Sequence, residues 1–206
     1  MKLYELAGAP NPRRVRIFLA EKGVTVPCVQ IDLAKGEHKT PAFLAKNPSG
    51  KIPVLELDDG TCIAESVAIC RYFEALHPTP SLFGATPKAL GRIEMANRQL
   101  EFEMLPAIGT SWVNSPMLAR MAPGRFKHDP QVKAASDAVA RKFYERLDGE
   151  LARHPYVADD AYSIADITAL CMIDFASTLV DLRPDDSLQH FWRWHATVSA
   201  RPSATA

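Results

Sequence analysis

The sequence predicts an α/β domain over residues 1–80, a linker over 81–87 and an all-helical domain over 88–206. Three observations carry this division. Up to about residue 80 the patterning switches between period two and a helical period. The stretch from His77-Pro78-Thr79-Pro80-Ser81 through Thr86-Pro87 is proline-rich and reads as a boundary. Past it, only the helical period recurs.

Taken in order, Leu3-Tyr4-Glu5-Leu6 is a short strand, ended by the small-residue run Ala7-Gly8-Ala9-Pro10. A helix follows, with Asn11 as its N-cap, Pro12 at the first helical position and Gly23 at the stop. Val15, Phe18, Leu19 and Lys22 fall on one stripe of it. Val26 to Ile31 returns to alternation, so the three elements make a β-α-β unit with parallel strands and a right-handed crossover. Next, Ile52-Pro53-Val54-Leu55-Glu56-Leu57 and Thr61-Cys62-Ile63-Ala64 flank Asp58-Asp59-Gly60, a strong hairpin signal. Ser66 can cap a helix running through Ile69, Cys70, Phe73 and Leu76. The order β-α-β, then β-β-α, predicts a thioredoxin-like sheet covered by helices.

In the second part, Asp129-Pro130 opens a helix striped by Val132, Ala135, Val139, Phe143, Leu147 and Leu151. Ser163-Ile164-Ala165-Asp166 reads as a capping box. Leu188, Phe191, Trp192 and His195 mark a last amphipathic helix.

The 24 basic and 24 acidic residues cancel, so no overall field recruits nucleic acid or a membrane surface. Arg13-Arg14-Val15-Arg16 is basic but short and lacks interleaved aromatics, as a solvated helix face would be. No apolar run approaches the roughly 18 residues of a membrane span, and Glu5 interrupts any signal-type start. Cys28, Cys62, Cys70 and Cys171 lack paired spacing and read as buried free thiols in a reducing, cytoplasmic setting. The six histidines show no paired-ligand spacing, so no metal is expected.

Three places hold the most chemical promise: the loop feeding the first helix, the strand opening at Ile52-Pro53, and Glu65-Ser66 at another helix start. A thioredoxin-like sheet brings all three to one edge. A helix N-terminus suits carboxylates and thiolates, while an acid beside it suits an ammonium. A zwitterionic peptide bearing a thiol meets both needs. A plainer reading, in which Ser66 only caps and Glu65 is a surface acid, stands level with it on spacing alone.

Residues 40–55, closing on Gly50-Lys51-Ile52-Pro53-Val54-Leu55 and followed by Glu65-Ser66, resemble the N-terminal domain of the cytosolic glutathione transferases. Residues 12–23 are similar to the first helix of that family, and Ser163 to Asp166 to the capping box of its helical domain. The Lys35-Gly36-Glu37-His38-Lys39 pattern resembles the theta-like and atypical fungal and bacterial branches. The resemblance implies glutathione as co-substrate, with no tightly bound cofactor. Ile52 would pair its backbone with the cysteinyl part, ahead of a cis Pro53. Glu65 and Ser66 would hold the γ-glutamyl end. His38 and Lys51 would lie near the glycine carboxylate, with Lys39 a lower-ranked alternative. A symmetric homodimer is implied too.

The sequence departs from the family at the group that meets the sulfur. Tyr4 matches the catalytic tyrosine only loosely, and alignment on Arg14-Val15-Arg16 puts Ala9 where other classes carry serine or cysteine. A free thiol has a pKa near 8.5, and lowering it by about two units takes roughly 2.7 kcal/mol of preference for the thiolate. A helix N-terminus contributes up to about 2 kcal/mol and a charge-assisted hydrogen bond about 1.5–3. The expected thiolate site is therefore the start of the first helix with a water. Asn11 is the nearest polar side chain, and Ser111 or Ser115 could hold the water from the other domain. Trp112 and its neighbours would face a small electrophile. The leading expectation is conjugation of glutathione to electrophiles. The alternatives are glutathione-dependent peroxide or disulfide reduction and a non-catalytic glutathione-binding module.

Overall fold

The computed structural model describes residues 1–206, which fall into two compact units, Met1–Leu82 with Pro202–Ala206 and Phe83–Arg201. In the first unit, β1 (Lys2–Glu5), α1 (Pro10–Glu21) and β2 (Cys28–Gln30) form the β-α-β unit. After a short helix, α2 (Pro41–Leu44), come β3 (Val54–Glu56), β4 (Cys62–Ala64) and α3 (Ser66–Leu76). The sheet order is β2-β1-β3-β4. β1 runs parallel to β2 and antiparallel to β3, and β3 antiparallel to β4. The Asp58-Asp59-Gly60 turn closes the hairpin as its chemistry requires. Asp59 accepts from the Thr61 N–H at 2.8 Å, and Gly60 takes φ +85°, which a side chain would disfavour.

Val15, Ile17, Phe18 and Leu19 of α1 are buried, as are Ile69, Cys70 and Phe73 of α3. Burial stabilises the unit by about 1.5–3 kcal/mol for each of these large apolar side chains. Lys22 ends the α1 stripe as a buried cation, paired with Glu74 and bonded to the Pro80 carbonyl. A second cluster gathers Ile31, Phe43 and Val54, with Tyr4 packed against it.

The start of α1 differs from the sequence expectation. Pro-Asn-Pro offers two proline starts and the earlier one prevails: Pro10 opens the helix, Ala9 is the extended N-cap residue, and Asn11 lies inside the first turn. A residue before proline is driven to extended backbone, which suits Ala9 to that place. Ser66 likewise is the first helical residue of α3, and Glu65 takes the N-cap position. The Arg13–Arg16 cluster is not a solvated face. Arg14 is 2% exposed, Arg16 pairs with Glu5, and Arg13 Nη2 donates to the Ala204 carbonyl at 3.0 Å.

The second unit is entirely helical. Thr86 caps α4 (Pro87–Gln99), which passes through a wider turn at Leu100–Met104 into α5 (Leu105–Val113). Pro106 has no N–H and its ring crowds the preceding turn. The chain answers by bonding the Leu105 N–H to the carbonyl of Leu100, a π-type turn. Ser115 caps α6 (Pro116–Met121), and Asp129 caps α7 (Pro130–Leu151) by accepting from Gln131 and Val132. The Ser163–Asp166 capping box opens α8 (Ile164–Phe175), and α9 (Gln189–Ser199) follows. α8 is the centre of this core, with every residue from Ile164 to Ile173 buried. Asp166 accepts from the N–H groups of Val157 and Ser163 at 2.9 Å and from Trp194 Nε1 at 2.8 Å.

Three expectations are corrected here. The α7 stripe is buried only in its later half. Phe143, Leu147 and Leu151 are inside with Ala140 and Tyr144, whereas Val132, Ala135 and Val139 are exposed. The four cysteines are free, but only Cys70 and Cys171 are buried. Cys28 lies exposed on edge strand β2, and Cys62 is half-buried on the opposite edge. Finally, residues 88–206 are not one unit, because Pro202–Ala206 belong with the first.

Candidate functional site

The strand registers bring the three places of interest to one end of the first unit's sheet. Val54 pairs with both Tyr4 and Ala64. Continuing each antiparallel register by one residue sets Pro53 beside Glu5 on one side and Glu65 on the other. The loop from β1 into α1 leaves from that same end.

At this end the Ile52–Pro53 peptide bond is cis and Pro53 is buried. The loop before it is held by Asn47, whose Nδ2 donates to the Lys51 carbonyl at 2.8 Å. Its Oδ1 accepts from the Ser49 N–H at 3.2 Å and hydroxyl at 2.9 Å. Glu65 has φ +67° and ψ +116°, which costs a non-glycine residue about 1–3 kcal/mol. The residue is exposed. Ser66 is 5% exposed, and its Oγ accepts from Arg14 Nη1 at 2.8 Å.

The basic candidates lie on the loop between β2 and β3. His38 is buried, Lys51 exposed. Gly50 has φ +61°, and a Cβ there would stand 2.6 Å from Lys39 Nζ and 3.0 Å from the His38 carbonyl. The positive φ favours glycine here, and the contact sets Lys39 over the turn that leads into Lys51.

The start of α1 is sparser in donors than a generic helix N-terminus. Pro10 and Pro12 have no N–H, the Ala9 N–H bonds to the Leu6 carbonyl, and that of Arg13 bonds to Ala9. Asn11 supplies the open amide of the first turn. Its side chain does not cap the helix, and Asn11 Oδ1 is buried without a hydrogen-bond partner.

Other polar candidates are engaged elsewhere. Tyr4 Oη donates to Glu56, which also pairs with Lys46 at 2.8 Å. That hydrogen bond, with burial, raises the Tyr4 pKa, opposite to what a thiolate partner needs. In the second unit, the Ser111 hydroxyl donates to Asp137 and Ser115 Oγ accepts from the Leu118 N–H at 3.1 Å. Trp112 meets Phe175 edge-on at 5.4 Å. His154, Asp159 and Asp160 bring ligand-type atoms within 4.8 Å of one another, and the Arg92 guanidinium already pairs with Asp159 at 2.9 Å. Ile52, Glu65, Ser66 and Asn11 are thus gathered at one end of the sheet, with His38 and Lys51 on the flanking loop. Sequence reasoning missed Arg14 and Asn47. The Asn47-Pro48-Ser49-Gly50 turn carried a signal for the second, but a buried arginine within a basic triplet carried none.

Comparison with known proteins matches residues 1–75 to the family described as glutathione S-transferase, N-terminal domain, and residues 104–202 to its C-terminal domain. Glutathione S-transferase 2 of Saccharomyces cerevisiae is 40% identical over 98% of this chain and 87% of its own. The crystal structure of Gtt2 from the same yeast superposes with a TM-score of 0.90 at 39% identity, covering 100% of this chain and 99% of that one. A glutathione S-transferase domain-containing protein of Marinobacter aquaeolei VT8 gives the same TM-score and identity, over 98% and 99% of the two chains.

Proposed function

Since the chain belongs to the glutathione S-transferase family, we propose that it binds glutathione at the sheet end described above and transfers its thiolate to small electrophiles. The observation that carries this is the exposed Glu65 beside buried Ser66, at the sheet end that the strand registers share with Ile52 and the start of α1. Glu65 takes the ligand ammonium and Ser66 its α-carboxylate. The Ile52 backbone pairs with the cysteinyl residue, and His38 and Lys51 serve the glycine carboxylate. Glutathione is the co-substrate, with no tightly bound cofactor required.

With alanine at position 9, the thiol proton leaves to solvent and the sulfur anion rests on the Asn11 N–H and the positive end of α1. The thiolate then attacks the electrophilic carbon; the carbon–sulfur bond of the thioether forms as the bond to the leaving group breaks, and that group departs with the electron pair into solvent.

Calorimetry tests the site. Glu65→Gln and Ser66→Ala should each weaken glutathione binding about tenfold or more, as loss of a charge-assisted hydrogen bond implies. Parent-like binding by both variants would move the site elsewhere. A chromogenic conjugation assay then separates transferase from binding module, since glutathione binding without turnover of any electrophile selects the latter. A homodimer is part of the reading. It is supported by the exposed apolar side chains of Phe102, Val132 and Val139, and sedimentation as a monomer at micromolar concentration would reject it. No helix is long and apolar enough to cross a membrane, in keeping with a proposed cytoplasmic location.

A further inference from the structure

We infer that Arg14 is a positioning residue that fixes the Ser66 hydroxyl as a hydrogen-bond donor, and so makes the site selective for a γ-glutamyl ligand with a free α-carboxylate. This rests on the glutathione site proposed above. A guanidinium carries only donors, whereas a serine hydroxyl has one proton and two lone pairs. Arg14 Nη1 lies 2.8 Å from Ser66 Oγ and fills one of those lone pairs. The hydroxyl proton must then point away from the guanidinium, toward whatever acceptor the ligand presents.

Burial sharpens the effect. Arg14 is 2% and Ser66 5% exposed, and in a poorly solvated setting one hydrogen bond polarises the next. The O–H becomes a stronger donor, with a fixed positive charge behind it. An incoming carboxylate gains from both, while an ammonium meets the guanidinium's positive charge behind the hydroxyl. Glu65, adjacent and exposed, reads the other half of the amino-acid end. Arg14 touches the ligand in no step of this account; it acts through Ser66.

The test compares three ligands by calorimetry. They are glutathione, 4-aminobutyryl-cysteinyl-glycine, which lacks the α-carboxylate, and glutaryl-cysteinyl-glycine, which lacks the ammonium. The parent should prefer glutathione over the first analogue by tenfold or more. In Arg14→Met that preference should fall below threefold, while the preference over the second analogue, read by Glu65, stays as in the parent. Ser66→Ala should show the same collapse, and the Arg14→Met, Ser66→Ala double variant no further loss. Arg14→Lys, which keeps a donor and a charge, should restore part of the preference. It also carries the test if Arg14→Met does not fold: a parent-like preference in folded Arg14→Lys together with a parent-like one in Ser66→Ala would overturn the inference. Equal weakening of all three ligands by Arg14→Met would reduce Arg14 to a packing role and overturn it as well. A parent that binds no glutathione, or does not discriminate at all, would instead fail the proposed site itself.

Discussion

In the proposed mechanism Asn11 acts through its backbone N–H, since its side chain does not cap α1 and its Oδ1 finds no hydrogen-bond partner. Two prolines strip the first turn of α1 to a single open N–H, so any side chain that competes for that donor should be felt. Ala9→Asp is the direct probe, because an N-cap aspartate accepts from the amide of the second or third helical residue. The variant should gain about 0.5–2 kcal/mol in stability and lose conjugation activity by tenfold or more, its carboxylate occupying the thiolate's place. Gain in both properties would remove the Asn11 amide from the mechanism. Tyr4→Phe makes the opposite control. Tyr4 is bonded to Glu56 and its pKa is raised, so the bound-thiol pKa, read by ultraviolet titration, should match that of the parent.

Capping organises the helices of the second unit, and α8 shows its cost and its return. Burial pushes the Asp166 pKa up to about 6 despite the hydrogen bonds it accepts. In the unfolded chain an aspartate titrates near 3.9. Between those values the folded protein holds a proton that the unfolded chain has released, so stability falls as pH rises through this window and levels off above it. The span corresponds to on the order of 3 kcal/mol. Asp166→Asn should unfold earlier than the parent at every pH, having lost part of the capping box. The parent's advantage in urea midpoints should shrink between pH 4 and 6, and a constant difference would show that Asp166 does not titrate there. This element was legible in the sequence because Ser163 and Asp166 lie three residues apart and act locally. The β-α-β unit and the Asp-Gly hairpin were legible for the same reason. Burial of Arg14, exposure of Val132 and Val139, and exposure of Cys28 depend on which surface another part of the chain covers, and no local pattern encodes that. Of the candidate site, Ile52, Glu65 and Ser66 stood out by position on the sheet edge, but their roles came from family resemblance. The donor poverty of α1 could have been read from Pro10 and Pro12 had the helix start been placed one proline earlier.

At the scale of the whole molecule, the first unit is discontinuous in sequence. Pro202–Ala206 lie with it: Ser203 and Ala204 are buried, the Ser203 hydroxyl bonds to Glu21, and Arg13 holds the Ala204 carbonyl. Both contacts are to α1. Removing residues 202–206 should therefore destabilise the first unit by about 1–3 kcal/mol, the scale of stranding buried polar partners. In scanning calorimetry that is a drop of several degrees at roughly 2–4 °C per kcal/mol; an unchanged profile would make the segment an ornament. The arrangement also has a consequence in time. A ribosome releases Leu82 long before Pro202, and at about 5–20 residues per second the delay is on the order of ten seconds. Throughout it, the nascent first unit waits with one flank of α1 uncovered. Only translation that runs past residues 202–206 closes it, so a product terminated ahead of that segment would display that flank to the cell's chaperones and proteases.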